Sequence, residues 1–260
     1  MDGTHHTPDA HEQWLLEALF TPGVLLGAAH AYGHDPAYPA RVTAVEEIAT
    51  VRVPSGRLAV ACPWPPDDDY DVPPPVAFEL AERVPPGPHP VEVAWYEAPV
   101  LFMDEIQDRR QVAAVRLRLT GAPVARWEAA AFLPVGSADP GGHLGTDDHG
   151  RRYFYDEHQC CAFADAAAWP ELVEPFRQFT LDAIARRPND GRGIDYLHDH
   201  AFQRTSSPAR AADLLAFPSS GITAWLGRAA DGTPATVLVL GALEDVDLVP
   251  GAAAPSRDHE

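Results

Sequence analysis

Two short stretches hold the side chains best suited to chemistry. They are Asp156-Glu157-His158-Gln159-Cys160-Cys161 and Asp195-Tyr196-Leu197-His198-Asp199-His200. Carboxylate, imidazole and thiolate are ligands for zinc or iron, so Asp156, His158, His198 and His200 form a candidate metal set. His198 and His200 share a face only on an extended chain. On a helix they would diverge by about 200 degrees. Their spacing matches no established ligand motif, and twelve histidines in a polar chain also produce such clusters without a site. The same stretches support a nucleophile reading, with Cys160 or Cys161 attacking and His158 or His198 as base. Ser206, Ser207, Ser219 and Ser220 lie in no Gly-x-Ser-x-Gly elbow, and no phosphate loop or dinucleotide fingerprint is present.

The three cysteines, Cys62, Cys160 and Cys161, make an odd number without Cys-x-x-Cys spacing. That is neither a disulfide framework nor a zinc ribbon. On a strand, adjacent Cys160 and Cys161 point to opposite faces and serve as small core residues.

The charge is lopsided, with 38 acidic residues against 19 basic ones and a formal net of -19. Every basic residue other than histidine is arginine. Such a surface repels nucleic acid and anionic membrane. It serves first to keep the chain soluble and leaves room for a basic partner, and the expected partner is a protein or a small molecule. No apolar run approaches the roughly 18–20 residues that span a bilayer. The N-terminus MDGTHHTPDAHEQW lacks a basic segment before an apolar one, so the expected location is cytoplasmic.

The elements that must position these residues are mostly strands. Val112 to Thr120 and Val124 to Ala131 alternate with period two and are joined through Gly121 and Pro123, which suits a hairpin. The expected register sets Leu117 opposite Trp127 and Arg116 opposite Glu128, with the apolar sets on one face. Arg116, Arg118 and Arg126 then form a solvated face with Glu128. Val91, Val93 and Trp95 form a third alternating run, entered through Pro85-Pro86-Gly87-Pro88. VRVPSGRLAVAC, residues 51–62, reads as two strand pieces around Pro54-Ser55-Gly56.

The remaining segments divide into helices, loops and further strands. Asp9 to Phe20 reads as a helix capped by Asp9. The apolar run from Val24 to Ala29 has no clear period. PWPPDDDYDVPPP and Gly136 to Gly150 read as long loops, with acidic segments at residues 66–71 and 139–148. Tyr153 to Ala164 reads as a hairpin. Asp165 caps a short helix with Trp169, and Pro175 breaks it, so a second helix restarts there and runs to about Arg187. Its apolar stripe is Phe176, Phe179 and Ala183. Asn189 to Pro208 is polar and irregular. Leu214 to Phe217, Ile222 to Gly227 and Ala235 to Leu243 read as strands, the last two turned by Ala230-Asp231-Gly232.

Several motifs together resemble a bacterial family, the domain of unknown function DUF4241. They are Pro54-Ser55-Gly56-Arg57, Val84-Pro85-Pro86-Gly87 with Pro90-Val91-Glu92, and Val112-Ala113-Ala114-Val115-Arg116. Ala122 to Glu128, Cys161 to Asp165, Ser219-Ser220-Gly221 and Gly227 to Gly232 complete the set, over roughly residues 50–243. The resemblance implies a β-rich α+β domain and supplies no reaction. The chain departs from the family at Asp156-Glu157-His158-Gln159-Cys160, where an Asp-x-Gly-Thr-Gly turn is usual. It departs again after Ser219-Ser220-Gly221, where Ile222-Thr223 stands in place of a Trp-Gly-Asp-Gly turn.

The expected architecture is α+β: mainly antiparallel β-sheets with a few packed helices. Residues 1–50 would be a helical extension, 51–250 the β-rich domain and 251–260 a frayed tail. The expected function is a non-catalytic interaction or accessory protein of the immunity type, using its acidic loops and no cofactor. The alternative is a small-molecule enzyme with zinc or iron, or a nucleophile, at the His/Cys cluster. Convergence of His158, Cys160, His198 and His200 in one pocket would favour the second.

Overall fold

The computed structural model describes residues 8, 10–31, 34–65, 78–102, 105–133, 144–146, 152–154, 160–188, 191, 193–198, 201–219, 224–241, 243 and 246–248. The larger sheet contains, in spatial order, β15 (Val246–Leu248), β1 (Leu25–Ala31), β2 (His34–Val53), β4 (Gly87–Phe102), β5 (Glu105–Arg118), β14 (Pro234–Leu240), β13 (Ala224–Arg228) and β6 (Arg126–Ala129). The smaller sheet runs β10 (Asp195–Leu197), β11 (Phe202–Ser207), β12 (Ala212–Pro218), β9 (Cys160–Asp165) and β3 (Leu58–Ala61). A third sheet pairs β7 (Leu144–Thr146) with β8 (Arg152–Phe154). Every ladder is antiparallel. Two helices, α1 (Ala10–Ala18) and α2 (Trp169–Ile184), complete the described elements. Neither is long and apolar enough to cross a membrane.

The two large sheets face each other and each carries a helix on its outer side. Val91, Val93, Leu117 and Val237 of one sheet meet Val60, Phe163, Leu215 and Phe217 of the other in one buried cluster. Leu15 and Leu16 of α1, and Leu19 just past its end, pack with Val42, Tyr96, Trp127 and Trp225 on the far face of the larger sheet. Leu172, Val173 and Phe176 of α2 cover the far face of the smaller one, over β9, β11 and β12. All six residues of β9 are therefore buried. A strand covered on both faces carries a continuous apolar run, which is what Cys160 to Ala164 supply.

The expected hairpin does not form. β5 pairs with β4 and β14, whereas β6 pairs with β13. Leu117 opposes Val91 and Val237, and Trp127 opposes Gly227. Leu117 lies in the cluster between the sheets, and Trp127 lies under α1 on the opposite face. Arg116 pairs with Glu92, and Glu128 pairs with Arg228. The reason is the apolar run of β14, residues 235–239, buried throughout. Such a strand needs a neighbour on each edge and cover on each face, so the β13–β14 hairpin inserts beside β5. The short β6, with Arg126 and Glu128, is left for the edge.

Other expectations are corrected in the same way. Leu25–Ala31 and His34–Val53 are strands of the larger sheet, so among the described residues of 1–50 a helical extension holds only for α1. β8 pairs with β7 and β9 with β12 and β3, so Tyr153 to Ala164 is not a hairpin. The supposed loop over Gly136 to Gly150 contains β7, and the polar segment after Asn189 contains β10 and β11. Helix α2 runs through Pro175 without a restart. Pro175 cannot donate to the Glu171 carbonyl, yet Trp169, Leu172 and Val173 before it and Phe176 after it bury against one sheet. That shared burial holds both halves on one axis. Trp64 stacks edge-on to Phe176 and Phe179, with centroids 5.0 Å and 5.7 Å away. The Asp9 cap, residues 66–71, most of 139–148 and the 251–260 tail lie outside the described residues.

The turn Pro54-Ser55-Gly56 carries the chain from one sheet to the other, and Asp165 at the end of β9 holds it. The Asp165 carboxylate, 1% exposed, accepts the Ser55 N–H at 2.8 Å, the Ala167 N–H at 2.9 Å and the Ala168 N–H at 3.2 Å. The Ala166 N–H donates to the Arg57 carbonyl at 2.8 Å. Gly56 has φ +67°, and a Cβ there would stand 2.8 Å from the Val84 carbonyl oxygen. Both facts require glycine. Asp165→Ala removes the acceptor of three backbone donors, of which the Ala168 N–H is buried, and is expected to cost about 3 kcal/mol, read as a lower urea midpoint at unchanged slope. Asp165→Asn keeps one acceptor oxygen and should lose less.

Candidate functional site

The structure separates two of the residues nominated for catalysis, Cys160 and His198. Cys160 and Cys161 sit in β9 opposite Pro218 and Phe217 of β12, 8% and 0% exposed. The Cys160 Sγ–H points at the Cys161 carbonyl at 3.7 Å and the Cys161 Sγ–H at the Ala162 carbonyl at 4.0 Å. His198 follows β10, is exposed, and adopts φ 48° in the turn toward β11. Strands β11 and β12 stand between β10 and β9. Three interstrand spacings of about 4.8 Å separate the two ladders, which puts His198 beyond hydrogen-bonding reach of Cys160. His158, His200 and Asp156 lie outside the described residues. Among the described residues no three His, Cys, Asp or Glu side chains converge as metal ligands do.

His198 joins a different cluster, at a corner where the two sheets meet. Its ring centroid lies 6.3 Å from Trp95 of β4 and 5.8 Å from Phe202 of β11. The Trp95 Nε1–H donates to Glu46 Oε2 at 3.1 Å, and Arg110 Nη2 donates to Glu46 Oε1 at 2.7 Å. The Arg110 guanidinium also lies over the Trp95 ring, 4.2 Å from its centroid. The Arg110 hydrogen bond, with help from Trp95, holds the Glu46 carboxyl below the usual carboxylate range. The result is a carboxylate bridged to an indole and a guanidinium, with an exposed imidazole at its margin. The sequence singled out His198 but not its neighbours, because Glu46, Trp95 and Arg110 come from three different strands.

A second feature opens at the β6 edge. Residues 78–81 link the sheets there: Ala59 bridges Glu79, and Leu80 bridges Phe132. A cleft of about 270 Å³ is lined by Leu80, Ala81, Glu82, Glu128, Ala131, Leu226 and Arg228. Arg228 Nε donates to Glu128 Oε1 at 2.7 Å, Nη2 to Glu82 Oε2 at 2.6 Å, and Nη1 to Glu82 Oε1 at 3.2 Å and to the Gly232 carbonyl at 2.9 Å. Those bonds raise the Arg228 pKa further above its usual value. Arg228 was not a candidate from sequence, since nothing local connects it to Glu82.

Ion pairing of this kind is general. Among the described residues, ten arginines lie within 3.6 Å of a carboxylate oxygen. Arg116 and Arg118, expected on a solvated face, both bind Glu92. Arg52 forms a fork on Asp213 at 2.6 Å for both contacts, and the Ser206 hydroxyl donates to the same carboxylate at 2.7 Å.

Compared with protein-family models, with curated proteins and with solved structures, the chain gives no match.

Two measurements follow from this geometry. In the native protein Cys160 and Cys161 should react with a thiol reagent only on the timescale of unfolding, with the partly exposed Cys62 reacting first and all three thiols reacting in denaturant. Fast native reaction of Cys160 would favour the nucleophile reading. The second concerns acid. Burial raises the pKa of Asp213 and of Glu92, but the hydrogen bonds from Arg52 and Ser206, and from Arg116 and Arg118, outweigh it and leave both carboxyls lowered. A carboxyl lowered by folding adds stability above its unfolded value, near pH 4, and loses it as pH falls through the folded one. Urea stability should therefore be flat near neutrality and fall steeply below about pH 4. Asp213→Asn should shallow that fall and cost roughly 1–3 kcal/mol at pH 7.

Proposed function

We propose that the protein is a non-catalytic interaction protein that binds a basic protein partner, in the manner of an immunity protein. The observation that carries this reading is the disposal of positive charge. The chain has 19 arginines against 38 acids, and ten arginines of the described residues are already spent on internal carboxylates. An engaged guanidinium has little left for an anionic ligand. The formal net charge of -19 gives the protein a negative field. Such a field speeds encounter with a cationic surface and disfavours anionic competitors. A cytoplasmic location is part of the same proposal. The resemblance to DUF4241 accords with it, since that family implies no reaction.

A short peptide of arginine and lysine, titrated by calorimetry, tests the reading. Binding should weaken about 10–100-fold between 50 and 300 mM NaCl, because exposed charges are screened over a Debye length. No binding at 50 mM, or binding indifferent to salt, would rule the proposal out.

A further inference from the structure

We infer that the cleft at the β6 edge receives one planar aromatic side chain of the partner, seated against the flat face of Arg228. The inference rests on the reading of a basic protein partner and names where that partner is anchored. The argument begins with the donors of Arg228. Nε, Nη1 and Nη2 all point at oxygens of Glu82, Glu128 and Gly232, so the edge of the guanidinium is spent. What an arginine held in this way still offers is its π face, which stacks on aromatic rings. This protein already uses that contact twice. Arg110 lies 4.2 Å from the Trp95 centroid and Arg116 lies 4.0 Å from the Phe20 centroid. Among the described residues no ring covers Arg228.

The cleft has the size and walls for the missing ring. Its apolar lining is Leu80 and Leu226, which belong to the core between the sheets, with Ala81 and Ala131. A volume of about 270 Å³ has room for a phenol or an indole ring. Leu133, two residues beyond Ala131, is 43% exposed and extends the apolar rim. Glu82 and Glu128 line the cleft as two carboxylates to the one guanidinium of Arg228, so basic residues beside the aromatic one meet a net negative charge. Aromatic anchors between charged residues are the usual source of binding energy at protein interfaces.

Two probes separate this inference from the broader one. The first is a pair of five-residue peptides, arginines around a central tryptophan or a central alanine, titrated at low salt. The tryptophan peptide should bind about tenfold tighter, and Ala131→Trp, which fills the cleft from an exposed position, should abolish the difference while leaving the alanine peptide unaffected. Equal binding of both peptides to the unaltered protein overturns the aromatic site and leaves the basic-partner reading standing. The second probe is the uncharged N-acetyl-tryptophanamide, followed at the Arg228 Nε–H resonance. A saturable shift, lost in Ala131→Trp, supports the site even where neither peptide binds and the basic-partner reading has failed. No shift overturns it.

Discussion

One buried carboxylate joins the parts of this molecule. Asp165 closes β9, opens the turn into α2 and receives the backbone of the crossing at Ser55. A buried carboxyl group is costly unless its oxygens are hydrogen-bonded, and here three N–H groups donate to them. Because that contact sets the height at which β2 leaves the larger sheet and β3 enters the smaller one, it also sets how the sheets face. Helix α2 begins directly after it and lies over the smaller sheet. The sealed environment of β9, and with it the inertness expected of Cys160 and Cys161, follows from this arrangement.

The second organising feature is the way arginine is used. Lysine is absent, so each cation is a planar fork able to grip a carboxylate with two donors. Arg52 on Asp213, Arg57 on Glu79 and Arg228 on Glu82 and Glu128 each tie segments far apart in the chain. Half-exposed pairs contribute little to stability, and their larger effect is on orientation and on the field. Where the fork is occupied at its edge, stacking remains available. Arg110 over Trp95 and Arg116 over Phe20 show that use inside the protein, and Arg228 has the same face beside an open cleft.

Much of the local structure was legible in the residues. Alternation located β4 at Val91, Val93 and Trp95, and all three do face the core between the sheets. The Pro54-Ser55-Gly56 turn, the Ala230-Asp231-Gly232 turn and helix α1 stand where composition put them. The candidate site was less legible. Cys160, Cys161 and His198 are near in the list of reactive side chains, but strand order parts them. Glu46, Trp95 and Arg110 cluster although 64 residues separate the first from the last. Glu82 and Arg228 meet across 146 residues.

Period and punctuation alone determined that this chain makes mainly antiparallel strands with a few helices, because both act over a few residues at a time. That α2 runs unbroken through Pro175 was decided by its burial against the smaller sheet. Tertiary structure decided which strands are neighbours. Leu117 and Trp127 have the same alternation and fall on opposite faces, since the apolar β14 takes the place beside β5 and moves β6 to the edge. Burial is won by the whole sheet and not by a pair of strands, so the strand with most apolar surface takes the middle wherever it occurs in the sequence.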